Sequence, residues 1–164
     1  LSGRDINAMS IGLEEGCNQE YLDYRIGQVR ELHDKLLKEG IPIVSPPGGH
    51  AVYIDAGKIL KHIPKKEFPA QSFSIECYIE GGIRSVEVGS LMLSYKSPDT
   101  GKMIYPELEL VRFAIPRRTY TQSHIQHVVD TIKKVYHRSK NIKGIHIKNE
   151  PKTLRHFTAS FNYI

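Results

Sequence analysis

The sequence has no tryptophan, only two cysteines, and no hydrophobic run near the roughly 20 residues that a membrane-spanning helix needs. The missing run excludes a membrane-spanning protein. Cys17 and Cys77 are far apart and have no Cys or His partner at metal-ligand spacing. We therefore expect two free thiols in a reducing cytoplasm, with a single disulfide as the alternative.

The length and composition are those of one compact domain. The chain has 164 residues, of which 40% are hydrophobic and 25% are charged. These values exclude an intrinsically disordered chain, a collagen and a coiled coil. The chain begins with Leu1-Ser2-Gly3-Arg4 and has no initiator methionine there, so we expect it to be part of a longer protein.

Positive charge is concentrated in the last third of the chain. The net charge is +5, and residues 101–164 contain twelve Lys and Arg against four Asp and Glu. Such a region could bind nucleic acid, but the basic residues are scattered and no nucleic-acid-binding motif is present. We expect no nucleic-acid partner, and a basic face that is either solvated or turned toward an acidic partner domain.

The hydrophobic periodicity predicts an α+β fold. Because strands and helices do not alternate strictly, helices on a small, mostly antiparallel sheet are favoured over a doubly wound sheet. The predicted helices cover residues 4–16, 19–39, 69–82 and 122–138, and the predicted strands cover 51–55, 83–88, 109–115 and 144–148, with an extended run at 41–44 beside the first strand.

Arg112 is the first candidate for a functional residue. It lies in the otherwise apolar strand 110–115, where a guanidinium group needs an anion because its desolvation is costly. The planar guanidinium suits bidentate binding of a carboxylate. The structural alternative is an ion pair with Glu107 or Glu109.

Histidines supply the other candidates. His156 and Phe157 are adjacent near the C-terminus, where an imidazole beside an aromatic ring could line a pocket for a planar substrate; simple packing is the alternative. His124 and His127 could share one helix face, but no third ligand is evident, so no metal site is expected. The common nucleotide-binding, zinc-protease and serine-hydrolase motifs are absent.

Five separated blocks resemble, in the same order, the C-terminal third of the β-eliminating lyases, the family of tryptophan indole-lyase (tryptophanase) and tyrosine phenol-lyase. The blocks are Pro47–Val52, Glu67–Gln71, Gly82–Glu87, Leu110–Arg117 and Glu150–Ala159.

The resemblance implies a fold and a setting. Residues 1–164 would be the C-terminal, small-domain segment of a fold-type I (aspartate aminotransferase-like) pyridoxal-phosphate enzyme, and residues 1–18 would be the end of its large domain. The full enzyme would be a homotetramer that needs potassium. In the family, the lysine that binds the cofactor, the phosphate-binding residues and the cation ligands lie upstream. We therefore expect this segment to hold no covalent cofactor and no metal, and to be inactive alone.

The resemblance also assigns site residues. Arg112 would bind the substrate α-carboxylate. Val88 would line the ring side of the site, where phenol-lyases have an arginine. His156, where phenol-lyases have a phenylalanine, would be a catalytic residue that contacts the ring, with Phe157 beside it.

Val88 and His156 favour the reaction of L-tryptophan and water to indole, pyruvate and ammonia, by α-proton abstraction and β-elimination. The C-terminal residues 160–164 are nearer to the phenol-lyase tail. A tyrosine phenol-lyase, and a non-catalytic module that reuses the small domain, are the alternatives. The gene sequence immediately upstream would separate an enzyme from a module.

Overall fold

The computed structural model describes the whole chain, from Leu1 to Ile164. The helices are α1 (Gly3–Gly16), α2 (Gln19–Lys38), α3 (Ala56–Ile59), α4 (Pro69–Gly81), α5 (Ser90–Leu93), α6 (Gln122–His137) and α7 (Arg155–Thr158). The strands are β1 (Ala51–Asp55), β2 (Val86–Val88), β3 (Tyr95–Lys96), β4 (Met103–Ile104), β5 (Leu110–Ala114), β6 (Ile145–Asn149) and β7 (Ser160–Tyr163). Every strand pair is antiparallel, which confirms the predicted α+β class.

The main sheet has three strands in the order β1-β5-β2. Residues that lie opposite each other on neighbouring strands share a face of the sheet. One face carries Val52, Ile54, Val111 and Phe113, all of them buried in the core. The other face carries Tyr53, Val86, Val88 and Leu110 around a central Arg112. Strands β3 and β4 form a separate hairpin, and β6 and β7 form another.

Helices α2, α4 and α6 cover the core face of the sheet. Helix α6 contacts both α2 and α4, and α4 also contacts β2 and β5. Each fully buried aliphatic or aromatic side chain contributes about 1.5–3 kcal/mol to folding. The fully buried side chains from these helices include Val29, Leu32, Leu36, Phe73, Cys77, Ile125, Ile132 and Val135.

Local capping residues fix where the long helices begin and end. The Asn18 side chain accepts a hydrogen bond from the Tyr21 amide at 3.2 Å and so satisfies a free donor at the start of α2. Helix α4 begins with Pro69 and ends before Gly82, which has a φ of 68°. That left-handed conformation favours glycine and closes the helix.

The predicted strand 83–88 is too long. Only Val86–Val88 pairs with β5. The preceding residues bind helix α4 instead, because the Ile83 amide donates to the Cys77 carbonyl and the Ser85 and Ser74 hydroxyls are 2.8 Å apart. The run 41–44 contributes a single antiparallel bridge to β1 through Ile43. Helix α5 and the β3–β4 hairpin were not predicted.

The remaining sequence predictions concern thiols, charge and membranes. Cys17 and Cys77 are both free thiols, so the disulfide alternative is wrong. Part of the basic last third pairs within the chain, because Arg138 binds Glu76 and Glu80 on α4. No helix has both the length and the hydrophobicity needed to cross a membrane.

Candidate functional site

A cleft of about 340 Å³ lies between the start of α4, strand β2 and helices α5 and α7. It is open to solvent on one side and mixes polar with apolar side chains. Its lining residues are Gln71, Arg84, Ser85, Val86, Glu87, Met92, His156 and Phe157.

His156 and Phe157 enter this cleft from the four-residue helix α7. Their ring centroids are 4.1 Å apart and the ring planes are tilted by 48°. His156 is half-buried and forms no hydrogen bond within the chain, whereas the Phe157 side chain is 68% exposed. The pair therefore offers an apolar ring and a free imidazole to a molecule in the cleft, rather than packing into the core.

Arg112 lies beside the cleft but does not line it. It is opposite Val86 in the β2–β5 pairing and opposite Tyr53 in the β1–β5 pairing. Its Nε atom is buried and has no hydrogen-bond partner. The structural alternative, an ion pair with Glu107 or Glu109, is not formed, since Glu109 accepts instead from the Ser90 amide and hydroxyl. An unpaired buried donor on a cation is costly, so this group is poised to bind an anion.

Val88 is on the same face of the sheet as Arg112. It lies opposite Leu110, two residues before Arg112 on β5, and it is half-buried. The face of the sheet next to Arg112 is therefore apolar, because its neighbours there include Val86, Val88 and Leu110. Val88 itself does not line the 340 Å³ cleft.

Sequence reasoning missed two buried carboxylates at the edge of this site. Glu87 is 3% and Glu109 2% exposed. A Cβ atom added to Gly89 would lie 2.8 Å from the Oε1 atom of Glu87 and 2.6 Å from the Oε2 atom of Glu109. For Glu87, the signal in the sequence was a charged residue at an inward-facing position of the alternating strand 83–88.

The surroundings of the two carboxylates alter their ionisation. Burial first, and the neighbouring Glu109 next, raise the pKa of Glu87 from 4.5 to about 7, although the backbone amides of Leu91 and Met92 oppose the change. Burial also raises the pKa of Glu109, against the hydrogen bonds from Ser90. The buried Oε2 atom of Glu109 has no hydrogen-bond partner.

The other histidine candidates have structural partners. The Nδ1 atom of His124 accepts from the Thr121 amide at 3.1 Å and so helps to cap α6. The Nε2 atom of His127 is 2.9 Å from the Gly81 carbonyl. No group of three or more His, Cys, Asp or Glu side chains is arranged to hold a metal ion.

Comparison with known proteins identifies the family. The family model described as "Beta-eliminating lyase" matches residues 10–131. The chain is 49% identical over 161 residues to the tyrosine phenol-lyase of Pasteurella multocida, covering 98% of this chain and 35% of that protein. It is 47% identical over 159 residues to the tryptophanase of Salinibacter ruber, covering 97% of this chain and 33% of that protein. It is also 47% identical over 159 residues to the tryptophanase of Haemophilus influenzae, with the same coverage of each chain.

The chain belongs to the β-eliminating lyase family, whose members are fold-type I enzymes that use pyridoxal phosphate. It spans about a third of the length of the curated relatives that it matches. No lysine lines the cleft, so the residues there do not fit covalent attachment of the cofactor.

Proposed function

We propose that this chain is the substrate-binding segment of a longer pyridoxal-phosphate-dependent lyase that converts L-tryptophan and water into indole, pyruvate and ammonia. The observation that carries the proposal is the unpaired, buried Nε atom of Arg112 beside a cleft that contains His156 and Phe157. An amino acid with an aromatic side chain has a carboxylate for the first feature and a ring for the second.

Arg112 holds the α-carboxylate in this proposal. Two parallel N–H donors of a guanidinium fix both the position and the rotation of a carboxylate, whereas an ammonium group fixes only the position. Holding the substrate in one rotation aligns the bond that must break at the α-carbon, and such alignment lowers the barrier of the step. The apolar surface formed by Val86 and Val88 excludes water and strengthens the ion pair.

Val88, His156 and Phe157 bind the ring side of the substrate. An indole ring needs an apolar wall, and we assign this role to the half-buried Val88, on the sheet face beside the cleft. The ring of Phe157 provides a stacking surface. The His156 imidazole forms no hydrogen bond within the chain, so it is free to bond to the substrate. This combination favours indole over phenol as the leaving group.

Tyrosine phenol-lyase activity is the second candidate. Two relatives with that name are 49% and 46% identical to this chain, so overall identity does not favour tryptophan. The two activities differ in the group that meets the leaving ring. A phenol oxygen requires a polar partner, and the apolar Val88 offers none.

The rest of the longer enzyme supplies what this segment does not. We assign the cofactor, its lysine and the potassium ion to the upstream part, and the tetramer to the complete enzyme. Helix α1 supports such an arrangement, because it has no buried residue and exposes Ile6, Met9, Ile11 and Leu13. Exposed apolar side chains of this number are typical of a surface that another domain covers.

The test is the product that the complete enzyme releases. The gene that encodes this segment is expressed at full length, and indole from L-tryptophan and phenol from L-tyrosine are quantified at matched substrate concentrations. We expect indole, with a higher kcat/KM for L-tryptophan. Phenol release with little or no indole would overturn the tryptophan assignment, and the absence of both products would overturn the lyase assignment.

A further inference from the structure

Arg155 ties the helix that carries His156 and Phe157 to the rest of the molecule. Its Nε and Nη2 atoms donate to the Leu91 carbonyl at 3.1 and 2.8 Å. Its Nη1 atom donates to Glu150 at 2.9 Å. Because Arg155 is the first residue of α7, the two bonds to Leu91 fix the beginning of that helix, whereas the exposed Glu150 contributes little.

Leu91 on helix α5, whose carbonyl accepts from Arg155, is itself held by the sheet. Glu87 on β2 accepts from the Leu91 amide at 2.9 Å and from the Met92 amide at 3.0 Å. Glu109, which directly precedes β5, accepts from the Ser90 amide at 3.0 Å. Leu91 is therefore bound on both sides, its amide by Glu87 and its carbonyl by Arg155. This path of hydrogen bonds connects the main sheet to α7.

Helix α7 is otherwise held only by the β6–β7 hairpin, in whose connection it lies. It has four residues, none of them buried, and no side chain caps its first turn. The amides of Phe157 and Thr158 bond only to the Leu154 carbonyl, and that of Ala159 bonds to the Arg155 carbonyl. A helix of this length is not stable by itself. Outside that hairpin, the guanidinium of Arg155 supplies the only hydrogen bonds that join α7 to the rest of the molecule.

We propose that Arg155 is a positioning residue for recognition of the substrate ring. It does not line the cleft, but it determines where His156 and Phe157 stand relative to Val86. Loss of Arg155 would release these rings and would impair substrates with aromatic leaving groups more than substrates with small ones. This inference rests on the proposed lyase function.

The first part of the test measures the anchor directly. Amide hydrogen exchange in the peptide that contains Phe157, Thr158 and Ala159 is followed by mass spectrometry in the full-length enzyme and in three variants. We expect exchange about tenfold faster in Arg155→Met, which keeps a long apolar side chain but no donor, and an intermediate rate in Arg155→Lys. Glu150→Gln is the control, because Glu150 is an exposed partner of Arg155 and not part of the path to Leu91; its rates should match the unsubstituted chain.

The second part measures recognition in the full-length enzyme. We expect Arg155→Met to lower kcat/KM for the aromatic substrate about tenfold or more, to change that for S-methyl-cysteine less than about twofold, and to be partly rescued by lysine.

The two parts separate the two claims. If Arg155→Met leaves the exchange rates unchanged, Arg155 does not hold α7 in place, whatever the activity of the variant enzyme. An equal effect on both substrates would overturn the positioning role. Absence of lyase activity in the unsubstituted enzyme would overturn the proposed function on which that role depends.

Discussion

Val86 lies directly opposite Arg112 on neighbouring antiparallel strands. Opposite residues in such a pair have Cα atoms about 4.5–5.5 Å apart and project to the same face. Since Val86 lines the cleft that contains His156 and Phe157, the pairing places the guanidinium at the margin of that cleft. The proposed carboxylate site therefore lies one strand away from the cleft that contains the proposed ring site.

Substitution of Val88 tests the ring side of the site. The Val88→Arg substitution would place a cation against an indole ring without an anionic partner, at a cost of about 2 kcal/mol or more. We expect kcat/KM for L-tryptophan in the full-length enzyme to fall at least about thirtyfold, while that for S-methyl-cysteine falls much less. The conservative variant Val88→Ile keeps an apolar wall and should retain most activity. Unchanged tryptophan turnover in Val88→Arg would show that Val88 does not meet the ring.

The buried pair Glu87 and Glu109 predicts a pH dependence of stability. The folded-state pKa of Glu87 is about 7, above its ordinary 4.5. A carboxyl group with a raised pKa contributes stability that is fully present below 4.5 and is lost as the pH rises through 7. This pair should therefore lower the free energy of unfolding of the 164-residue chain as the pH rises from about 5 to about 8, which urea denaturation would detect.

Glu109→Gln tests the origin of that dependence. The introduced side-chain amide would occupy the site of the unpaired Glu109 oxygen and could donate to Glu87, which replaces repulsion with a hydrogen bond. We expect the variant to be more stable by about 1 kcal/mol at pH ~8 and to show a flatter pH profile. Glu107→Gln, at an exposed position in the same loop, is the control and should change neither. A loss of stability in Glu109→Gln at that alkaline pH would contradict repulsion between the two buried carboxylates.

Alanine substitutions at two glycines should have opposite effects on the stability of the fold. A Cβ on Gly81 would lie 2.7 Å from Thr131 Cγ2 and closer still to its hydroxyl oxygen, in the contact between α4 and α6. Gly81→Ala should therefore destabilise the chain by about 1–3 kcal/mol. Gly27 lies within α2 with nothing within 4 Å of its Cβ position, so Gly27→Ala should stabilise it by about 0.5–1 kcal/mol. Thermal denaturation of both variants measures the difference; equal shifts would show that the α4–α6 contact is looser than described.

The long helices and the central strands could be predicted from the sequence because each has its own periodic signal. The apolar stripe of α6, with Ile125, Ile132 and Val135, is visible without any tertiary information. Asn18 and Gly82 mark helix ends by side-chain capping and by a left-handed backbone.

Other features depend on contacts between distant residues and carry little local signal. Helix α5 has only four residues, and its amides are bound by Glu87 and Glu109. The beginning of the predicted strand 83–88 is lost because Ser85 contacts Ser74 on α4. Among the site residues, His156 and Phe157 share the cleft as expected from their adjacency, whereas the anchoring contact of Arg155 with Leu91 joins residues 64 positions apart.

The measurement that tests the central claim most directly is kcat/KM of Arg112→Lys in the full-length enzyme, for L-tryptophan and for S-methyl-cysteine. Every substrate shares the α-carboxylate, and lysine keeps the charge but not the bidentate geometry. We predict a loss of about 100-fold or more with both substrates, and a larger loss for Arg112→Ala. Arg30→Lys, at an exposed position on α2, is the control and should have normal activity. Near-normal values for Arg112→Lys with both substrates would show that Arg112 does not bind the carboxylate, and would contradict the proposed site.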